Sequence, residues 1–535
     1  MNICRTVGRV IFVVALFTAW SATALAATCE SLSTLKLADT TITSAKEVAA
    51  GAFIPPGAAS QPASAKKLPA FCRVTAEIKP TADSDIKIEV WLPLTGWNGK
   101  YRGQGNGGFA GQIGYQGLAV AIANGYATAA TDTGHTGFAG DASWALGHQE
   151  KIVDFGYRAI HEMTVKAKAV VQAFYGDAPR RSYFASCSNG GRQALMEAQR
   201  YPADYDGIIA GAPAYDWVHL LTAAVWNMQA TNIDPASYIP ASKIPAIATA
   251  VRAACDELDG VKDGILSDPR DCHFDPGVLL CKKDDDNAGC LTEPQIAALK
   301  KIYSGPQDSQ GRQIFPGFSP GGEEGGNGWA GWVTGAAPRK SNQSGFGYGF
   351  FANMVFNDTA WDFKTFNFDT GVKIADDKQG ANLSATDANL KLFMARGGKL
   401  ILYHGWSDVA IPPLSTIQYY NRVEAKMGAR ETDSFVRLFM VPGMQHCGGG
   451  PGPNSFGDQG AKSDAQHDIY LALEQWVEKG TAPEKIIATK YVSDFNPAQG
   501  VKMTRPLCPY PQIAKYKGTG DTNDAANFAC VAGKK

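Results

Sequence analysis

Apolar and polar side chains alternate along residues 87–94 (Lys87, Ile88, Glu89, Val90, Trp91, Leu92, Pro93, Leu94), which predicts a half-buried strand. Residues 119–132 read as a helix, a turn and a strand, with the strand at 126–131. Apolar residues at helical spacing cover 159–174. A short strand at 182–185 leads into a helix at 191–201, and 206–213 reads as a further strand with a turn. Strands alternating with helices predict a mainly parallel sheet with helices on both faces.

The pattern changes after about residue 215. Up to about residue 385 the chain holds closely spaced cysteines, the acidic run Asp284-Asp285-Asp286, and a glycine-rich, tryptophan-bearing stretch at 317–345. The acidic run reads as solvated surface. Regular periodicity then returns, with a helix at 387–395, strands at 399–403 and 435–441, and an amphipathic helix at 464–479. The expectation is an α/β core formed by residues 27–214 and 386–535, interrupted by an inserted domain at 215–385. No internal repeat is visible.

Composition narrows the class. A chain of 535 residues is long for one compact domain, and 45% hydrophobic with 19% charged residues describes an ordinary globular protein. The formal net charge of −1, without a basic stripe, argues against a nucleic-acid partner. Arg5 and Arg9 precede a short apolar core at 10–20, and Ala24-Leu25-Ala26 is an A-x-A cleavage site. Residues 1–26 are therefore expected to be a signal peptide, and the mature chain to begin at Ala27. The apolar run is shorter than the ~20 residues a membrane span needs. A lipidated Cys29 is disfavoured by Thr28 before it and by Leu25, one place too far upstream. The expected location is outside the cell or in the periplasm, with no membrane anchor. Without Cys4, ten cysteines remain, enough for up to five disulfides in an oxidising compartment. Counting does not fix connectivity. Sequence proximity suggests Cys29 with Cys72, Cys255 with Cys272, Cys281 with Cys290 and Cys508 with Cys530, leaving Cys187 and Cys447.

Those last two cysteines sit beside candidate chemistry. Cys187 precedes Ser188, and Cys447 follows His446. If they pair, the Cα separation of roughly 5–6 Å that a disulfide demands makes Ser188 and His446 neighbours. A strand, a tight turn and a helix around Ser188 match a nucleophile elbow, with Gly190 and Gly191 as the small neighbours on the helix side. Ser186 stands where the G-x-S-x-G pattern has its first glycine. Asp408 follows the strand at 399–403 and His446 follows the next, which gives the Ser–Asp–His order of α/β-hydrolases. Ser188 is the expected nucleophile, His446 the base and Asp408 its orienter. The oxyanion donors are expected to be the N–H of Asn189 and of Gly108 or Gly107. His404 either lines the site or ends its strand.

Asp256, Asp259 and Asp263, with carbonyls at Val261 and Ile265 and glycines between, offer oxygen donors of the kind calcium takes, about six to eight at a time. The spacing is not that of an EF-hand, and on spacing alone a solvated acidic loop is the stronger reading. No Cys/His spacing suggests zinc.

The runs Cys187-Ser188-Asn189-Gly190-Gly191, His404-Gly405-Trp406-Ser407-Asp408 and His446-Cys447, with the loop 256–265, resemble the tannase and feruloyl esterase family. That family includes the mono(2-hydroxyethyl) terephthalate hydrolases, and the similarity runs through nearly the whole mature chain. The resemblance implies an α/β-hydrolase core with a large inserted lid domain, a Ser188-His446-Asp408 triad, a Cys187–Cys447 disulfide and structural calcium at the 256–265 loop. It implies no organic cofactor. It also implies esters of aromatic acids as substrates, by default feruloyl esters, with gallate esters or terephthalate monoesters as the alternatives. Trp329, Trp332, Phe350 and Phe351 are candidates for gripping an aromatic acyl group, and Arg339 for meeting a carboxylate. Two other classes compete: a binding protein on a hydrolase scaffold, against which the intact triad counts, and a serine peptidase, which the Cys-Ser and His-Cys pairs disfavour.

Overall fold

The structure, a computed structural model, describes residue 1 and residues 27–58, 63–283, 285–457, 464–494 and 496–535. The expected signal peptide, beyond its first residue, and Asp284 lie outside the described residues.

A nine-stranded sheet forms the centre. Its strands are β1 (Thr40–Val48), β2 (Phe71–Ile78), β3 (Ile86–Pro93), β4 (Lys100–Gln104), β5 (Ala127–Thr131), β6 (Arg181–Cys187), β7 (Gly207–Gly211), β8 (Lys399–Gly405) and β9 (Val436–Val441). Their spatial order is β1-β2-β3-β5-β4-β6-β7-β8-β9. The run from β5 through β4 to β9 is parallel, while β1, β2 and β3 pair antiparallel along one side. Every residue of β5 and of β7 is buried. That double-sided burial explains why these strands read as continuous apolar or small runs.

Helices cover both faces. Ala159–Tyr175 buries Ile160, Met163, Ala167, Val170, Val171 and Phe174, a 3–4 spacing that makes one apolar stripe, and it stops where Gly176 turns left-handed at φ 81°. On the other face Ile469–Lys479 buries Ile469, Ala472, Leu473 and Trp476. It starts later than the periodicity predicts, because Asp468 caps it by accepting the N–H groups of Tyr470 (2.8 Å) and Leu471 (3.2 Å). The helix expected at 387–395 shortens to Lys391–Ala395, since Asp387 accepts the Asn389 N–H (2.8 Å) in an Asx turn.

Within this sheet three strands lie outside the pattern read from sequence, β1, β2 and β4, as do the strands Ile486–Tyr491, Val501–Leu507, Gln512–Tyr516 and Phe528–Ala532 of two small sheets. β4 carries Arg102 and Gln104, both buried. The Arg102 guanidinium lies 3.9 Å from the Tyr470 ring centroid and the Thr128 hydroxyl donates to its carbonyl (2.7 Å), so polar residues occupy a central strand without alternation.

Between β7 and β8 the described chain adds no strand to the sheet. It forms helices, among them Trp217–Asn232, Ile244–Cys255 and Glu293–Ser304, packed as an inserted lid. Part of the lid has its own core around Ile247, Val251, Leu291, Leu299, Ile302 and Trp329. A second cluster joins Trp217, Phe350 and Phe351 of the lid to Phe109 and Phe155 of the core loops. The lid is therefore seated on the hydrolase core by shared apolar burial. Five disulfides are present: Cys29–Cys72, Cys187–Cys447, Cys255–Cys272, Cys281–Cys290 and Cys508–Cys530.

Candidate active site

Ser188 sits between the end of β6 and the helix Asn189–Arg200, with φ 67° and ψ −126°. A non-glycine residue there is strained, and the turn is held by the Ser188 N–H on the Gly211 carbonyl (2.9 Å) and the Ala214 N–H on the Ser188 carbonyl (3.1 Å). Gly190 and Gly191 are required by close approach: a Cβ on either would overlap Ser186 Oγ or the Gly211 carbonyl respectively. Asn189 is the first helical residue, so its N–H belongs to the set with no intrahelical acceptor.

Asp408 follows β8, and His446 follows β9. His446 Nε2 is 3.0 Å from Ser188 Oγ, and His446 Nδ1 is 2.8 Å from Asp408 Oδ2. Asp408 is fully buried. Its other oxygen accepts the N–H groups of Ala410 (2.8 Å) and Ile411 (3.0 Å). Burial by itself raises this carboxyl, but the His446 charge and hydrogen bonds from His404 and His446 outweigh it, and the group is held well below the usual carboxylate range. An ionised Asp408 requires Nδ1 of His446 to carry the proton, which leaves Nε2 free to accept from Ser188. The bridge Cys187–Cys447 joins the two loops with Cα atoms 6.0 Å apart.

A cavity of about 360 Å³ opens over Ser188 and His446. Gly107, Gly108 and Ala139 form one side, after the end of β4. The remainder is apolar, chiefly Trp217, Leu220, Leu221, Phe346 and Ile411. Trp332 lines it too, edge-on to His446 with ring centroids 5.3 Å apart.

Several residues singled out for substrate contact are elsewhere. His404 is fully buried and lies behind Asp408, with Nε2 3.2 Å from Asp408 Oδ2 and Nδ1 2.7 Å from Thr416 Oγ1. It supports the carboxylate instead of touching substrate. Trp329 is fully buried in the lid's own core, against Tyr303. Phe350 and Phe351 are fully buried in the cluster that seats the lid. Arg339 lies over the Phe363 ring, 5.7 Å from its centroid, away from the cavity lining. In each case packing claims the side chain.

Other residues were not singled out from sequence. Trp217, Leu220 and Leu221 share one helix whose apolar content is nearly all-round, so spacing does not reveal which face meets a cavity. Arg192 is fully buried one turn after Ser188. Its guanidinium donates to Asn189 Oδ1 (2.8 Å) and to the carbonyls of Gly156 (2.7 Å), Phe155 (3.0 Å) and Leu383 (3.3 Å). Burial pushes it down to about 9. A charged residue directly after Asn-Gly-Gly was the available signal.

The loop 256–265 is curled by Gly260 (φ 88°) and Gly264 (φ 78°). Asp256 accepts the Gly264 N–H (2.8 Å), Asp259 that of Val261 (2.9 Å), and Asp263 that of Ile265 (3.1 Å) while also pairing with Arg505. Burial raises the Asp263 carboxyl, Arg505 opposes this, and Asp259 adds to it. Carboxylates that repel one another on one curled loop, with carbonyls at Val261 and Ile265, fit calcium in donor chemistry. They are splayed, however. Among the described residues, the tight grouping of potential ligand atoms within 4.8 Å is His161, Glu197 and Asp204, which does not line the cavity.

Comparison with known proteins agrees with this fold. Residues 72–531 match the model of the family described as tannase and feruloyl esterase. An uncharacterised esterase of Xanthomonas campestris pv. campestris is 45% identical, covering 94% of this chain and 91% of its own. The mono(2-hydroxyethyl) terephthalate hydrolase of Piscinibacter sakaiensis is 36% identical, covering 89% of this chain and 87% of its own. The crystal structure of feruloyl esterase B from Aspergillus oryzae superposes with a TM-score of 0.85 at 30% identity, covering 94% of this chain and 99% of that one. With an α/β-hydrolase core, an inserted lid and this breadth of match, the chain belongs to the tannase and feruloyl esterase family and is a carboxylic ester hydrolase.

Proposed function

We propose that the chain is an exported serine esterase that cleaves esters of aromatic acids, of the feruloyl type, through an acyl-enzyme. Ser188 Oγ attacks the ester carbonyl while His446 Nε2 takes its proton, and Asp408 holds the Nδ1–H and stabilises the imidazolium. The N–H groups of Asn189 and of Gly108, or Gly107, receive the oxyanion. His446 then hands its proton to the departing alcohol. A water enters, gives a proton to His446 and its oxygen to the acyl carbon, and the released acid leaves Ser188 protonated again.

The observation that carries this reading is the unbroken hydrogen-bonded chain Asp408–His446–Ser188 on the floor of an apolar cavity. A protein that only binds has no need of a base within 3.0 Å of a strained serine. Five disulfides support maturation in an oxidising compartment, outside the cell or in the periplasm. Asp256, Asp259 and Asp263, with the carbonyls of Val261 and Ile265, would hold calcium, which would supply charge balance and a rigid tie within the lid.

Replacing Ser188 with alanine is expected to lower kcat on methyl ferulate by about 10⁵–10⁶, with the melting temperature retained. Undiminished turnover would remove Ser188 from the reaction. Gallate esters and terephthalate monoesters, the alternative substrates, are separated by the chemistry of the cavity wall.

A further inference from the structure

The cavity opens over Ser188 and His446, so the part of an ester that enters it meets its lining. Among the described residues, the lining holds, apart from Ser188 and His446, the amide of Gln343 and the indoles of Trp217 and Trp332 as its polar side-chain groups. Both ends of the Gln343 amide are already engaged: Oε1 accepts from Asn227 Nδ2 (2.9 Å), and Nε2 donates to the Val409 carbonyl (3.3 Å). Trp217 also lines the cavity, and its indole nitrogen is buried without a hydrogen-bond partner. Among the described residues, no lysine, arginine, aspartate or glutamate lines the cavity. Behind the Trp217 wall the Arg192 guanidinium lies 5.1 Å from the ring, but it is committed to Asn189 and to three main-chain carbonyls.

Taking the esterase reading as its basis, we propose that this enzyme selects esters whose acyl group is neutral and discriminates against acyl groups bearing a carboxylate or several ring hydroxyls. A neutral aromatic ring entering this cavity exchanges water for Trp217, Leu220, Leu221, Phe346 and Ile411, which is favourable burial. A carboxylate entering beside it gives up its hydration and meets no cationic side chain among the described lining residues. Each ring hydroxyl loses water in the same way, with a smaller penalty. One phenol with a methoxy group is tolerated; three hydroxyls, as in a gallate, are selected against. This separates the chain from a terephthalate-monoester hydrolase, whose substrate is an anion.

The test uses the wild-type protein and matched esters. Dimethyl terephthalate and monomethyl terephthalate share shape and reacting bond and differ in one charge. At pH 8, kcat/KM per ester bond is expected to favour the dimethyl ester by at least about a hundredfold. The ratio should narrow as pH falls toward the ordinary carboxylic range of about 4, because the neutral acid then enters. Taking the ratio cancels the titration of the triad itself. Methyl cinnamate is expected to exceed methyl gallate by at least about tenfold. Equal or reversed preference in either pair overturns the inference while leaving the esterase reading intact. No turnover of any ester, neutral ones included, overturns that reading and this inference with it.

Discussion

At the scale of single residues, the juxtaposition of Ser188, His446 and Asp408 was legible where a residue carried its own local signature. Ser188 lies between a strand and Gly190-Gly191, and His446 and Asp408 each follow a buried strand, so chain order and flanking residues sufficed. Substrate contacts were not legible. Trp329, Phe350, Phe351 and Trp332 are equally aromatic in sequence, yet Trp332 alone among these four lines the cavity. Which large side chain faces a void depends on the packing of distant segments, and composition holds no record of that. His219 shows the same dependence. It bridges Asp216 (3.0 Å) and Asp376 (3.1 Å), residues far apart in sequence. Burial lowers its affinity for a proton, but the two carboxylates prevail and hold it up to about 10. A histidine raised above its usual 6.5 contributes stability that is complete below that value and lost as pH rises toward 10. Thermal melts from pH 6 to pH 10 should therefore show the wild type losing about 1–2 kcal/mol more than His219→Gln, a modest figure because Asp376 is solvent-exposed. Parallel losses in the two proteins would mean that the bridge carries no charge.

At the scale of elements, the strands read from sequence were found within a residue or two, but β2 was missed although Cys72, Val74, Ala76 and Ile78 alternate with Arg73, Thr75 and Glu77. β4 reads as Lys-Tyr-Arg-Gly-Gln, and its place in the sheet rests on partners from Thr128 and Tyr470 that sequence does not reveal. Predicted helices began early where an aspartate caps or turns the chain first, as Asp468 and Asp387 do. The bridge Cys187–Cys447 ties the loops that follow β6 and β9, and these loops hold the serine and the histidine. It restrains the distance on which proton transfer depends. The 256–265 loop is a separate element inside the lid, bound to the C-terminal region by the Asp263–Arg505 pair. If it holds calcium, a chelator is expected to lower the melting temperature by several degrees, about 4 °C for each kcal/mol of binding energy at most in a chain this long, and added calcium should restore it. An unchanged melt after chelation and dialysis would assign the loop to its own hydrogen bonds and Arg505.

At the scale of the whole molecule, one sheet places every candidate group at the carboxyl ends of adjacent strands. The glycines follow β4, Ser188 follows β6, Asp408 follows β8 and His446 follows β9, and the helical insertion after β7 closes over them. Alternation of strands and helices made the class of fold readable, and the break in periodicity made the insertion readable. How the lid meets the core was not, because that contact joins residues such as Phe109 and Phe350 across two hundred positions. The proposed reaction rests on one serine beneath the lid, and covalent labelling tests that role directly. The protein should be treated with a sulfonyl fluoride, the adduct mapped by peptide mass, and residual turnover of methyl ferulate followed against the labelled fraction. One adduct is expected, on Ser188, with activity falling in proportion to it. Full labelling of Ser188 with turnover intact, or inactivation that tracks an adduct on another residue, would contradict that role.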